Sequence, residues 1–349
     1  MKTFRTQPSR RAFTLIELMV SMTILMMLML MLLSLTGVVQ RTWSYTTNKV
    51  EQFRNAREGF ETITRKLSQA TLNTYWDYDN ATAPTRYLRQ SELRFISGNS
   101  KTLSGSTISP THAVFFVAPL GYVVDANYQG LANLLNTWGY YIEYADDSLL
   151  RPPFITTTMA PLRSRFRLME MMGPSETMPL YKYTSGAGNN TYKASTWFTD
   201  ILNTTPRPAR AVADNVLALI ILPKLAPGED PTGTLLSPSY TYDSTVTNGN
   251  PVINPKNQLP PVVMVSMVAV DEASFSNYLS RTKTTAPMTD LGLDTLFVSA
   301  GSLTDNTKPG YAKDLKTLQN TLVTKKINFR VFTSDVSIKA AKWSRAQVN

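Results

Sequence analysis

The order of apolar and polar positions divides the chain before any count is made. Residues 18–39 form an almost unbroken apolar run, about the 20 residues that a helix needs to cross a bilayer. From Arg41 the pattern changes. Val50, Phe53, Phe60, Ile63 and Leu67 recur at spacings of three, four or seven, with Glu51, Arg54, Arg57, Glu58, Arg65 and Lys66 largely between them. That spacing predicts an amphipathic helix with one core-facing stripe. A helix continuous over 14–72 would extend roughly 88 Å at 1.5 Å per residue. Tyr75-Trp76-Asp77-Tyr78-Asp79-Asn80 and Pro84 are poor continuations, so the helix should end before Asn73.

Beyond residue 80 the apolar runs shorten. Strands are expected at 92–97, 112–117, 140–144, 165–171, 216–222, 262–270, 295–299 and 327–332, where β-branched and aromatic residues cluster between turn formers. Short helical patterns fall at 129–137, 195–202, 272–281 and 313–324. The stretches 225–261 and 282–291 are rich in Pro, Gly, Asn, Thr and Ser and read as long surface loops. The expected fold class is α+β: a long N-terminal helix, membrane-spanning then amphipathic, packed on a head of antiparallel sheet. No period of 20 to 50 residues signals a repeat.

Composition narrows the chemistry. Among 349 residues there is no cysteine and a single histidine, His112. Disulfides, thiolate nucleophiles and Cys-ligated metals are therefore excluded, and His-rich metal clusters with them. The formal charge is +10, but Lys2, Arg5, Arg10 and Arg11 supply four of these positives within residues 1–12, which hold no acid. The rest of the chain carries +6 without a Lys/Arg cluster, which gives no support for nucleic-acid binding.

Basic residues ahead of a spanning segment stay on the cytoplasmic side, so everything after about Gln40 is expected outside the membrane. A cleaved secretory signal fits poorly, because the apolar run is too long and no small-residue A-x-A site follows it. Ser9-Arg10-Arg11-Ala12-Phe13 partly matches a twin-arginine signal. That reading leaves unexplained the one carboxylate in the block, Glu17, which inside a spanning helix costs on the order of 2.5 to 3.5 kcal/mol.

Ala12-Phe13-Thr14-Leu15-Ile16-Glu17-Leu18 resembles the processing site of type IV prepilins and type II secretion pseudopilins. The resemblance implies that prepilin peptidase cuts between Ala12 and Phe13, and that the new Phe13 amine is N-methylated. It also implies that Glu17 meets the terminal amine of a neighbouring subunit during assembly. The family has Gly before the cut, where this chain has Ala12. Positions 13 and 17 lie about one helical turn apart, at one depth and on one face. The competing reading is that Glu17 only snorkels to the cytoplasmic boundary.

In the head, Val212-Ala213-Asp214-Asn215-Val216-Leu217-Ala218-Leu219 and Leu259-Pro260-Pro261-Val262-Val263-Met264-Val265 look like the sheet pattern of the J-type minor pseudopilin. The whole chain, including the segment Arg65 through Tyr78, is similar to the Verru_Chthon cassette protein C family, prepilin-type proteins encoded beside other pilin-like proteins.

No G-x-S-x-G, Walker, H-E-x-x-H or G-x-G-x-x-G pattern appears, and Gly186-Ala187-Gly188 sits in a polar, loop-like stretch. His112 opens an apolar strand with no evident catalytic partner and reads as structural. Asp271 with Ser274, ahead of an apolar helix, fits a helix cap. The adjacent pair Asp146-Asp147 fits solvated turn residues, although carboxylates distant in sequence can still meet in a fold. Asp77, Asp79 and Asn80 offer oxygen ligands at calcium-like spacings but lack the Gly and distal Glu of an EF-hand, so a turn is favoured. The Asn-x-Ser/Thr matches at Asn80, Asn189 and Asn203 are what chance gives in so Asn- and Thr-rich a chain. Tyr122, Tyr128, Tyr140, Tyr141, Tyr181, Tyr183, Tyr192 and Trp197 form either a binding surface or, the favoured reading, alternating core positions.

The sequence thus divides into a leader at 1–12, a transmembrane half-helix at 13–39, an amphipathic half-helix at 40–72 and a periplasmic head at 73–349. It reads as a structural minor pilin or pseudopilin without enzymatic activity, cofactor or metal, whose partners are prepilin peptidase/methylase, other pilin-like subunits and the inner membrane. The alternative is a tethered periplasmic binding protein or hydrolase that uses the helix only as an anchor.

Overall fold

The computed structural model describes residues 14–80, 82–129, 134–148, 151–152, 154–178, 197–204, 207–229, 235–250 and 252–344. The chain forms two units, Met1–Glu51 and Gln52–Asn349, and helix α1 (Leu15–Leu67) passes from one into the other.

In the first unit every large apolar side chain from Leu15 to Val39 is at least half exposed, so the chain itself buries none of this stretch. Three of its four hydroxyls bond back to the helix: Ser21 Oγ donates to Leu18 O at 2.9 Å, Thr23 Oγ1 to Val20 O at 2.8 Å and Thr36 Oγ1 to Leu32 O at 2.8 Å. Those bonds satisfy these polar side chains locally, as a lipid environment demands. By length and composition the helix is able to span a membrane.

The second unit begins where the stripe becomes a core. Phe53, Ala56, Phe60, Ile63 and Leu67 are buried, a three-four-three-four spacing that keeps one face inward. Val50, expected in the stripe, is exposed because it lies ahead of this unit. The helix closes at Leu67 rather than 72, and Thr71 N–H instead donates to Val117 O at 2.8 Å, which draws the chain into the sheet.

Two strands, β1 (Tyr75–Tyr78) and β2 (Tyr87–Gln90), pair as a separate antiparallel ribbon. A six-stranded antiparallel sheet combines β3 (Ile96–Asn99), β4 (His112–Ala118), β5 (Asn136–Ala145), β6 (Arg165–Gly173), β7 (Ala209–Asp214) and β9 (Tyr242–Asp243), in the order β7-β6-β5-β4-β3-β9. The second sheet, β11-β10-β8, joins β8 (Val216–Lys224), β10 (Val262–Val270) and β11 (Phe329–Ser337). Helices α2 (Ser100–Ser104), α3 (Trp197–Leu202), α4 (Glu272–Thr282), α5 (Pro287–Asp290) and α6 (Tyr311–Thr324), with single 3-10 turns at Ala126–Tyr128 and Ser175–Thr177, complete the described elements.

Strand β4 is buried on both faces, with strict alternation. Val114, Phe116 and Ala118 join α1, β8 and β10 in the main core, while Ala113, Phe115 and Val117 join a second cluster with Met171, Met178, Phe198 and Ile201. This covering on both faces is why the strand reads as a continuous apolar run. Gly139, opposite Phe115 in β5, leaves room for that ring, since a Cβ there would lie 2.2 Å from it.

Several expectations need correction. Residues 295–299 form turns, not a strand: Phe297 adopts φ +61°, its N–H is bound by Asp314 and its ring is buried. The helix expected at 129–137 is contradicted at its end, where Asn136 and Thr137 already pair in β5; residues 130–133 lie outside the described ones. The loop 225–261 contains β9 and buried Ser237, Ser244, Asn254, Asn257 and Gln258, and so is partly interior. Within 282–291 the chain makes the short helix α5. The strand at 92–97 is paired only from Ile96.

Candidate assembly site and the polar groups of the head

The expected assembly residue, Glu17, lies in the first turn of α1. Its Oε2 accepts from Thr14 N–H at 2.9 Å and from Thr14 Oγ1 at 2.9 Å, while Glu17 N–H donates back to Thr14 Oγ1 at 3.3 Å. This is a capping box: the Thr hydroxyl and the Glu carboxylate each serve a backbone N–H that the helix start would leave unpaired. The pattern Thr14-x-x-Glu17 before an apolar run signals it, and the sequence reading overlooked Thr14. Ala12 and Phe13 lie outside the described residues.

In the head, His112 is fully enclosed. Its Nδ1 accepts from Ile221 N–H at 3.2 Å, which fixes the proton on Nε2, and Nε2–H donates to Phe297 O at 3.0 Å. Burial pushes its pKa down to about 4, against a smaller opposing effect of the Phe297 carbonyl. With Thr111 Oγ1, which accepts from Leu219 N–H at 3.1 Å, it covers the edge of β8. The histidine is thus a neutral strap between the two sheets.

Glu170 on β6 is the most connected buried carboxylate. Oε1 receives Lys66 Nζ at 2.8 Å, Trp138 Nε1 at 2.9 Å and Tyr140 OH at 2.5 Å, and Oε2 receives Arg210 Nε at 2.9 Å. Lys66 Nζ also sits 4.0 Å from the Trp138 ring centre. Burial raises the Glu170 pKa, but the hydrogen bonds from Lys66 and Tyr140 and the Lys66 charge outweigh it, leaving the group below its ordinary range. The Tyr140 hydroxyl is pushed well up by burial and by the adjacent Glu170 charge.

Other acids behave as structural groups. Asp79 Oδ1 accepts from Thr85 and Arg86 N–H at 2.9 and 3.2 Å, and its Oδ2 from the Thr85 hydroxyl, which holds its pKa down at about 2 and closes the β1–β2 turn. Asp271 Oδ2 caps α4 through Ser274 N–H at 2.9 Å. Asp147 accepts from Arg163 N–H at 3.0 Å and pairs with Arg151 at 2.9 Å. Glu143 faces Arg207, and Asp243 faces Arg94, so these carboxylates meet bases and not one another. Among the described residues no group of His, Cys, Asp and Glu is arranged to hold a metal. A cleft of about 440 Å³ lies between α1 and β7, lined by Gln52, Asn55, Thr62, Asp214 and Asn215, among others.

Of the clustered aromatics, Tyr140 and Tyr141 are core, Tyr122 is half-buried edge-on to Trp138 at 6.0 Å, and Tyr128 is exposed. Tyr181, Tyr183, Tyr192 and the Trp197 side chain lie outside the described residues. Among the described residues the exposed aromatics that gather in one place are Tyr75, Trp76, Tyr78 and Tyr87, on the ribbon; Trp43, Tyr128 and Phe154 are exposed elsewhere.

The start of α1 also carries the one comparison with a family that found a match. Residues 7–33 match the prokaryotic N-terminal methylation motif. The match takes in part of the basic N-terminal segment, the cap and about three quarters of the apolar run. It supports a pilin-like chain of the prepilin type and covers none of the head. No curated protein and no solved structure matches the chain.

Proposed function

We propose that this chain is a minor pilin- or pseudopilin-like structural subunit of a type IV pilus or type II secretion-like assembly. The observation that carries the reading is the methylation motif at 7–33 on a helix whose apolar half the chain itself leaves uncovered. Prepilin peptidase removes residues 1–12, Phe13 becomes the methylated terminus, and the 13–39 segment anchors the chain in the inner membrane with the head in the periplasm. The uncovered helix then packs laterally on other pilin-like helices. The bulk of the head, which would crowd a dense shaft, supports a minor position, and the resemblance of its sheet segments to the J-type minor pseudopilin is in keeping with it.

Glu17 has two successive partners in this scheme. In the single chain its carboxylate is occupied by Thr14. In the assembly it turns to the amine of a neighbour's Phe13, which offsets the cost of a carboxylate at membrane depth. Intact-mass analysis of the membrane-extracted protein tests the route. The expected mass is that of a chain starting at Phe13 plus one methyl group, and a terminus at Met1 or beyond Gln40 overturns it. Glu17→Leu should still be processed yet be lost from the assembled fraction; full incorporation would remove the pairing role.

A further inference from the structure

The β1–β2 ribbon has a use that the assembly does not absorb. Trp76 and Tyr78 are two residues apart on β1 and so share a face, and their partners across the ribbon, Arg89 and Tyr87, stand on that same face. Trp76 is 57%, Tyr78 49% and Tyr87 61% exposed. The Tyr78 and Tyr87 rings lie 5.0 Å apart and inclined by 31°, and the Arg89 guanidinium sits 5.4 Å from the Trp76 ring centre. A two-stranded ribbon is marginal alone, yet this one is anchored at both ends. Asp79 closes its turn, as described above. At its base Arg89 NH1 donates to Gln258 Oε1 at 3.1 Å and to Lys342 O at 2.8 Å, and Asn257 Nδ2 donates to Arg89 O at 2.6 Å. The chain therefore holds three aromatic rings rigidly in water, where burial would have stabilised each.

We propose that this face binds a neutral β-1,4-linked glycan chain. Charge argues against a polyanion: residues 75–90 carry Arg86 and Arg89 against Asp77 and Asp79, a net charge of zero. Arg89 is committed to Trp76, Gln258 and the Lys342 carbonyl, and Arg86 stands 3.8 Å from Asp79. A single-stranded nucleic acid needs a basic track beside its stacking rings. Area argues against a protein partner. Three half-exposed rings offer roughly 300–400 Å², well short of the ~800 Å² per side of a stable protein interface. A β-1,4-linked sugar ribbon suits what remains. Its equatorial linkages leave flat faces of C–H bonds that stack on aromatic rings, and its hydroxyls meet the Tyr78 and Tyr87 hydroxyls, which lie 3.4 Å apart on the same face.

The test uses the full chain in detergent micelles, titrated with chitohexaose and with cellohexaose and followed by tryptophan fluorescence and calorimetry. At least one hexamer is expected to bind saturably. Trp76→Ala with Tyr87→Ala should weaken it at least tenfold with an unchanged circular dichroism spectrum, while Tyr128→Ala, exposed elsewhere, leaves it unaltered. Trp76→Phe should retain most of the binding, which separates ring stacking from collapse of the ribbon. Absence of saturable binding to both sugars overturns the proposal. So does binding that survives the double substitution, or displacement of the sugar by oligothymidylate at lower concentration.

Discussion

Single residues in this chain carry roles that their type alone does not fix. His112 had two readings open to it, catalytic or structural, and its environment decides. Both ring nitrogens are occupied by backbone groups, and burial holds the imidazole neutral, with a pKa of about 4 against an ordinary 6.5. Between those values the unfolded chain binds the proton that the folded chain refuses. Stability is therefore complete above pH 6.5, declines as pH falls, and levels off below about 4. The gap of about 2.5 pH units corresponds to about 3 kcal/mol. Urea unfolding from pH 4 to 7 should show this slope in the native chain and lose it in His112→Asn, at a lower overall stability. An equal slope in both chains would assign the acid sensitivity elsewhere. Thr14 shows the converse, for its role was readable from the Thr-x-x-Glu spacing, which became conspicuous only once the carboxylate was seen to be occupied.

Elements are joined by a few buried contacts, and the strongest polar one links α1 to the six-stranded sheet through Lys66 and Glu170. Glu170→Ala strands the Lys66 ammonium and the Tyr140 hydroxyl proton in a closed space, leaving the Trp138 N–H only the Tyr140 oxygen, and should cost about 3–5 kcal/mol. Lys66→Met should cost far less, because Arg210 still faces the carboxylate and the methionine still covers Trp138. Denaturant midpoints of the two variants check the ranking, and a near-neutral Glu170→Ala would deny the contact its structural role. Nothing in the sequence pairs positions 66 and 170. What the sequence does disclose is whatever repeats locally: β10 occupies the expected 262–270, and β4 and β8 differ from expectation by one or two residues at one end. The ribbon escaped because its strands are short, polar-aromatic and closed by a long turn held by Asp79. The segment 295–299 reads as strand because Phe297 meets the strand pattern, while Asp314, distant in sequence, binds its N–H in a left-handed conformation. Of the candidate assembly site the described residues include Glu17 and its Thr14 cap, a pair three positions apart and so open to a local sequence pattern. The aromatic platform was the least legible part, since it exists only across a strand pairing.

At the scale of the whole molecule, the boundary between the two units falls inside one helix, and this has a consequence for truncation. The buried stripe begins at Phe53, and the residues before it contribute no buried apolar side chain to the head. A chain beginning at Gln52 should therefore be soluble without detergent and melt within a few degrees of the full protein. A chain beginning at Ser68 keeps every strand and loses Phe53, Ala56, Phe60, Ile63 and Leu67 from the main core. Removing a single large core side chain costs roughly 2–5 kcal/mol, so the four large ones of this stripe cost roughly 8–20 kcal/mol, as much as the ~5–15 kcal/mol that holds a typical domain together. With no cysteine to supply a disulfide, nothing covalent offsets that loss. The shorter chain is expected to lose cooperative melting and bind hydrophobic dyes. If it melts cooperatively near the temperature of the longer one, the amphipathic half of α1 is a passive stem, not part of the head.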